Sequence, residues 1–168
     1  PTDTGNGGFT QAFFKAPRTG ADLLAGRDAI AEWAKLTYGW MGRAPDYKAA
    51  FMAQLAEGHA YYGDFGANAL AWYHRCADQV LYLNHVLIDP PVDRHRPRGE
   101  VDDVCVSVVK ETDNGIFVDG AKMVATWSAL THGTFVAVDS GVAARMEPVR
   151  DDHMALVFMV DMNTPGLK

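Results

Sequence analysis

Two cysteines in 168 residues, no glycine-rich phosphate loop and no apolar run of bilayer length are the first features of this chain. Cys76 lies in a helical pattern and Cys105 in a strand pattern, neither in a C-x-x-C spacing, so no disulfide framework is expected and both thiols belong to the core. A membrane helix needs about 20 consecutive apolar residues, and Pro1–Thr10 lacks the charged and apolar regions of a signal peptide. A cytoplasmic chain without membrane contact is expected. Neither G-x-G-x-x-G nor a P-loop occurs, which argues against Rossmann-type nucleotide binding. His59, His74, His85, His95, His132 and His153 form no H-x-x-x-H or H-E-x-x-H array, so no metal site is expected. Ser107, Ser128 and Ser140 lack the G-x-S-x-G setting of a hydrolase nucleophile, and Glu57, Glu100 and Glu111 form no defensible carboxylate dyad. Basic charge is scarce too. The net charge is -6 with a pI near 5.4, and the run His95-Arg96-Pro97-Arg98 reads as a solvated linker, so no nucleic-acid partner is expected.

What is present suffices for one ordinary domain or two small lobes, with 48% hydrophobic residues. Residues Pro1–Arg18 read as an irregular arm whose Phe9, Phe13 and Phe14 pack on other elements. Thr19 and Asp22 suggest a capping box for a helix carrying Leu23, Leu24, Ile30, Trp33, Leu36 and Trp40, with Gly26 as a point of division and Gly39 and Gly42 as its end. Pro45 and Asp46 suit the first turn of a second helix with Phe51, Met52 and Leu55. A third helical pattern runs from Asn68 to Val86 and must stop by about Asp89, because Pro90 and Pro91 cannot continue it. Beyond Val101 the period changes to two: Val104, Val106 and Val108 fall on one face, Cys105, Ser107 and Val109 on the other. Thr112-Asp113-Asn114-Gly115 signals a hairpin returning through Ile116-Phe117-Val118, and further strands are expected at Thr134–Asp139 and Ala155–Met162. The fold class is therefore α+β, a helical domain with an irregular arm over residues 1–94 followed by an incomplete antiparallel β domain, barrel-like or a curled sheet, over 95–168. The absent initiator methionine and the end at Thr164–Lys168, just after a strand, point to a piece of a longer protein.

Candidate chemistry gathers at the corner between these parts, where irregular backbone leaves N–H groups available to a ligand. His85 stands there. Arg43 precedes a helix N-terminus, where a cation gains nothing from the dipole, and reads either as a surface partner of Asp46 or as a donor aimed into a cleft. Thr126-Trp127-Ser128, at a strand end, can hydrogen-bond the edge of a flat heteroaromatic ring.

Helices followed by antiparallel β, with Val118-Asp119-Gly120-Ala121-Lys122-Met123-Val124-Ala125-Thr126 in the β part, resemble the flavin-binding architecture of acyl-CoA dehydrogenases. The resemblance sharpens within that superfamily. Tyr38 to Tyr47 (YGWMGRAPDY), Asp89 to Arg94 (DPPVDR), Val109 to Ile116 (VKETDNGI) and Ser128 to His132 (SALTH) resemble the oxygenase component of the 4-hydroxyphenylacetate 3-monooxygenase family, whose relatives include chlorophenol monooxygenases and hydroxylases of tyrosine derivatives. The likeness covers Thr19 to Lys168, and it implies an acyl-CoA dehydrogenase-like fold whose C-terminal helical bundle is missing from this chain.

The resemblance implies a two-component monooxygenase. Reduced FAD, delivered by a separate NAD(P)H-dependent flavin reductase, would react with O2 to a C4a-hydroperoxide that hydroxylates a phenol ortho to its hydroxyl, in a dimer or tetramer. Arg43, Tyr47 and His85 would bind the phenolic hydroxyl and favour the phenolate, whose ortho carbon is more nucleophilic. His85, Val86, Leu87, Ile88, Pro91, Val92, Asp93, Arg94, Thr126 and Ser128 match flavin contacts, and Ser140 and Gly141 a substrate-side loop. Trp40, Tyr73 and Trp127 would help exclude water, each with a reading as ordinary core. Ala44, Asp89 and Pro91 depart from the common pattern, Arg145–Asp152 resembles a variable loop, and the particular phenol stays open. The alternatives are an acyl-CoA dehydrogenase-type flavoenzyme, which has no need of Arg43 and Tyr47, and a flavin-binding fragment without turnover.

Overall fold

Thr19 and Asp22 start the first helix with a reciprocal cap. The Thr19 hydroxyl accepts from the Asp22 N–H (3.2 Å) and the Asp22 carboxylate accepts from the Thr19 N–H (2.9 Å), meeting two donors that a helix start leaves open. The computed structural model describes residues 1–40, 44–93, 95–96, 100–101, 103–143 and 152–168, and shows α1 as one continuous helix, Gly20–Leu36. Gly26 does not divide it, since one glycine costs a capped helix only about 1 kcal/mol. The end comes earlier than the two glycines suggest. Tyr38 takes a left-handed conformation (φ 54°) and the Gly39 N–H reaches the Ala34 carbonyl (2.9 Å), closing α1 with a Schellman motif.

Contacts divide the chain into two units, Pro1–Leu83 with Leu130–His132, and Asn84–Ala129 with Gly133–Lys168. The 94/95 boundary expected from the prolines lies inside the second of these. In the first unit, β1 (Thr2–Asp3) and β2 (Phe9–Thr10) pair antiparallel, and a 3-10 turn at Ala12–Phe14 buries Phe13 and Phe14 while Phe9 stays exposed. The Tyr73 hydroxyl donates to the Phe14 carbonyl (3.2 Å), anchoring the arm. Burial first, then the charges of Glu57 and Asp78, push that phenol's pKa upward. Helices α2 (Asp46–Glu57) and α3 (Gly66–Asp78) bury small residues, Ala49 and Ala53 on one, Gly66, Ala69 and Ala77 on the other. At Gly66 close approach requires glycine, because a Cβ would stand 2.7 Å from the His59 carbonyl oxygen.

The third helix is shorter than its pattern. It stops at Asp78, Val80 turns left-handed (φ 50°), and the Leu81 N–H bonds the Cys76 carbonyl (2.9 Å). Leu83–Val86, expected as its last turn, is strand β3. Residues Leu83, Asn84 and Val86 are apolar or small enough to suit either period, and over four residues alternation and helical spacing cannot be separated. The chain thus turns its corner at Gln79–Tyr82, ahead of the prolines.

The second unit holds a three-stranded sheet in the order β3–β6–β7 and a separate hairpin. Strand β4 (Ser107–Thr112) returns through the expected Asp113-Asn114 turn into β5 (Gly115–Asp119), with a register shift between Val108 and Lys110. Strands β6 (Gly133–Val136) and β7 (Phe158–Asp161) are antiparallel, from Gly133↔Asp161 to Val136↔Phe158. Among the described residues the sheets stay open and no barrel closes, where a barrel or curled sheet left incomplete was expected. The physical reason lies at 120–127. Gly120 (φ 117°), Val124 (φ 63°) and Trp127 (φ 68°) interrupt strand geometry, so this stretch makes only isolated bridges, Cys105↔Ala121 and Ile88↔Met123. Position 120 must be glycine, since a Cβ there would lie 2.4 Å from the Cys105 carbonyl oxygen.

Two outcomes follow for stability. A left-handed valine costs about 1–2 kcal/mol and glycine adds back about 0.5–1 kcal/mol of chain entropy, so Val80→Gly raises stability by roughly 0.5–1 kcal/mol, read as a higher melting temperature. The Asp22 carboxyl, held well below the usual carboxylate range first by Lys15 (2.9 Å) and then by the Thr19 cap, contributes stability that is complete above its unfolded pKa and fades as pH falls. Acid unfolding of Asp22→Asn is correspondingly less steep than that of the parent protein.

Candidate functional site

Strand β3 sets the site in the second unit. Side chains alternate along a strand, so Asn84 and Val86, both buried, face one side of the sheet and half-buried His85 the other. Beyond the strand, the segment to Asp89 is joined to residues 122–126 by four interactions. The Asn84 amide nitrogen donates to the Thr126 carbonyl (3.2 Å), the Met123 N–H to the Ile88 carbonyl (2.7 Å) and the Lys122 ammonium to the Leu87 carbonyl (3.1 Å). Lys122 also pairs with Asp89 at 2.7 Å, the two side chains only 6% and 14% exposed. The candidate flavin segments His85–Ile88 and Thr126–Ser128 are therefore brought side by side, with the Thr126 side chain exposed and Ser128 half-buried at the start of a 3-10 turn.

The carboxamide oxygen of Asn84 is buried and finds no hydrogen-bond partner among the described residues, and the Thr134 hydroxyl on β6 is in the same state. Such groups cost about 1–3 kcal/mol each unless a donor reaches them. Val124 and Trp127 add backbone strain on either side of Thr126.

Other expected contacts are spread out. Pro91 is exposed and Val92 half-buried, its N–H donating to the Pro90 carbonyl (2.8 Å), while the Asp93 carboxylate accepts from the His95 N–H (3.2 Å). Arg94 lies outside the described residues. Ser140 and Gly141 open a short helix, α4 (Ser140–Ala143), where the Gly141 N–H donates to the Asp139 carboxylate (2.9 Å).

In the first unit Tyr47 stands on the opening turn of α2, as expected from Pro45-Asp46, with its ring 5.3 Å from that of Phe51. The buried Lys48 ammonium sits 4.8 Å from the Tyr47 ring and 4.0 Å from the Phe51 ring, a cation held against two aromatic faces. Arg43 lies outside the described residues, and His85 belongs to the second unit. Of the aromatic candidates, Trp40 is 84% exposed, Trp127 is 36% exposed, and Tyr73 spends its hydroxyl on the arm. His132 is committed to structure: its Nδ1 accepts from the Tyr82 N–H (3.0 Å), while its own N–H donates to the Tyr82 carbonyl (2.8 Å).

Sequence reasoning missed Lys48, Asn84 and Lys122 as participants. A lysine one position from a candidate tyrosine, or one inside an alternating stretch, reads as a solvated charge. For Lys122 the signal was its place in the Gly120-Ala121-Lys122 part of the stretch that resembles acyl-CoA dehydrogenases, which was given no role of its own. Among the described residues, no cluster of three or more His, Cys, Asp or Glu could hold a metal, and no helix is long and apolar enough to cross a membrane.

Comparison with known proteins supplies the lineage. The chain matches, over residues 1–168, the family described as 4-hydroxyphenylacetate 3-hydroxylase N terminal. It is 53% identical over 167 residues to the 4-hydroxyphenylacetate 3-monooxygenase oxygenase component of Pseudomonas aeruginosa, covering 99% of this chain and 31% of that protein. It is 49% identical over 168 residues to the oxygenase component of 4-nitrophenol 2-monooxygenase from a Rhodococcus species, covering 100% of this chain and 31% of the relative. The chain thus spans about a third of the length of these relatives. In structure it is similar to the oxygenase component of 4-hydroxyphenylacetate 3-monooxygenase complexed with FAD and 4-hydroxyphenylacetate, with a TM-score of 0.79 at 33% identity over 92% of this chain and 32% of that one. A match across the whole chain together with these identities places it without ambiguity: the chain belongs to the 4-hydroxyphenylacetate 3-hydroxylase N-terminal family.

Proposed function

We propose that this chain is the N-terminal part of the oxygenase component of a two-component monooxygenase, which uses reduced FAD and O2 to hydroxylate a para-substituted phenol ortho to its hydroxyl. The observation that carries it is the identity, close to half of all positions, with oxygenase components that act on 4-hydroxyphenylacetate and 4-nitrophenol. A flavin reductase would be the second component, and the remaining length of the relatives leaves room for the helical bundle of an acyl-CoA dehydrogenase-like fold and for a homo-oligomer.

The residues present suit a flavin. Its ring edge offers N–H donors and carbonyl acceptors, and of the segments this reading assigns to it one carries the exposed Thr126 and the other directly follows Asn84, whose buried oxygen has no partner among the described residues. His85, Val86, Leu87, Ile88, Thr126 and Ser128 would hold the cofactor, with Pro91, Val92, Asp93 and Arg94 extending the contact. Bound reduced FAD supplies the activation of O2 and the oxygen atom that reaches the ring.

The protein's own contribution is to place and charge the phenol. The Arg43 guanidinium and the Tyr47 hydroxyl, with His85, would bind the phenolic oxygen, and a positive charge beside an acid lowers its pKa. The phenolate so favoured pushes electron density onto its ortho carbon. Lys48, buried against the Tyr47 ring, adds a second positive charge near that tyrosine. Ser140 and Gly141 would line the substrate side.

Two measurements on the full-length protein test this. Reduced FAD, titrated without oxygen, binds more tightly than oxidised FAD; equal affinities, or bleaching of a resident flavin by an acyl-CoA, would overturn the reading. Losing a charge-assisted hydrogen bond costs about 1.5–3 kcal/mol, so Arg43→Ala weakens phenol binding about 10- to 100-fold while reduced-FAD affinity is retained. Tyr47→Phe loses a neutral bond and weakens phenol binding several-fold. Normal hydroxylation by Arg43→Ala removes the assignment of this site.

A further inference from the structure

Lys122 does something that neither the family match nor the proposed chemistry assigns to it. Its side chain is 6% exposed, although it sits in an otherwise mostly exposed segment, between Ala121 and Met123. A buried ammonium must be satisfied, and this one is: Asp89 at 2.7 Å and the Leu87 carbonyl at 3.1 Å. Both partners belong to the segment that follows β3. The Met123–Ile88 and Asn84–Thr126 hydrogen bonds flank the pair on the same two segments.

The segment so held is not relaxed. Val124, a β-branched residue 62% exposed, and Trp127 take φ of 63° and 68° around Thr126. Left-handed backbone is disfavoured for such residues, and an exposed valine gains little packing in return, so the conformation persists only where neighbouring bonds over-determine it.

We propose that Lys122, together with Asp89, is a positioning residue, a clasp that fixes residues 122–128 against residues 84–89 and thereby holds the two flavin-contacting segments at a set separation. This rests on the flavin reading above. That reading gives the pair no flavin contact of its own. It acts through the Leu87 carbonyl, which locates the His85–Ile88 stretch, and through the strained turn that presents Thr126.

The test uses the full-length protein and two variants. Lys122→Met leaves Asp89 buried without its cation and is the one at risk of failing to fold; Lys122→Met/Asp89→Leu removes both charges while keeping apolar volume, an exchange that buried ion pairs commonly tolerate. Two readouts are taken: amide hydrogen exchange of the flavin-free protein, and the Kd for reduced FAD without oxygen. In the double variant the Met123 amide exchanges about ten-fold faster or more while the β4–β5 hairpin amides are unchanged, and the Kd rises about ten-fold or more, on the order of other losses of a supporting contact behind a ligand shell. A merely structural lysine would alter thermal stability and leave the Kd of the folded protein as it was. Unchanged exchange at Met123 overturns the clasp, and faster exchange with an unchanged Kd overturns its positioning role. Should the parent protein fail to bind reduced FAD, the proposed function falls, whereas the exchange comparison still decides whether Lys122 holds the segments together.

Discussion

A buried charge constrains everything around it, and in the second unit that charge is Lys122. Removing an ammonium from water is costly unless an anion and further acceptors replace the lost hydration. Asp89 and the Leu87 carbonyl are those replacements, and they dictate where the chain after Gly120 runs. Gly120 is what lets it approach, because any side chain there would strike the Cys105 carbonyl. Once the lysine is placed, the Met123 N–H meets Ile88 and the Thr126 carbonyl meets Asn84. A stretch that contributes no regular strand is thereby tied to residues 84–89 by bonds from Lys122, Met123 and Thr126.

The energetic consequence is local strain held by non-local bonds. Two left-handed non-glycine residues cost on the order of 1–2 kcal/mol each, and the buried Asn84 oxygen adds the penalty of an unmet acceptor. A core selected only for stability would discard both features. They concentrate instead around Thr126 and β3, where the flavin reading needs a preformed edge of donors and acceptors rather than a continuous sheet.

Local chemistry was legible wherever a few neighbouring residues decide the outcome. The Thr19–Asp22 box, the Pro45-Asp46 helix start and the Asp113-Asn114 hairpin turn all appear where their residue types demand. Legibility failed where the decision is tertiary. Leu83–Val86 reads as the tail of a helix because apolar residues at that length satisfy both periods, and only pairing with β6 selects the strand. Similarly, the helix end at Val80 carries none of the glycine that usually marks one. For the site, His85 was legible from its place near the prolines and Thr126 from its hydroxyl-bearing segment, while Tyr47 was singled out by the resemblance alone. Lys48 and Lys122 escaped because burial of a lysine is decided by partners distant in sequence, which no window along the chain contains.

The two units offer different kinds of interaction to the proposed task, although His85, Ser140 and Gly141 of the second are also assigned to the substrate side. Around Tyr47 the first unit supplies aromatic faces and a buried ammonium, an environment that responds to charge on a phenolic ring. Around β3 the second supplies backbone carbonyls, an unmet amide oxygen and an exposed hydroxyl, an environment that grips the edge of a flat heterocycle and responds little to net charge.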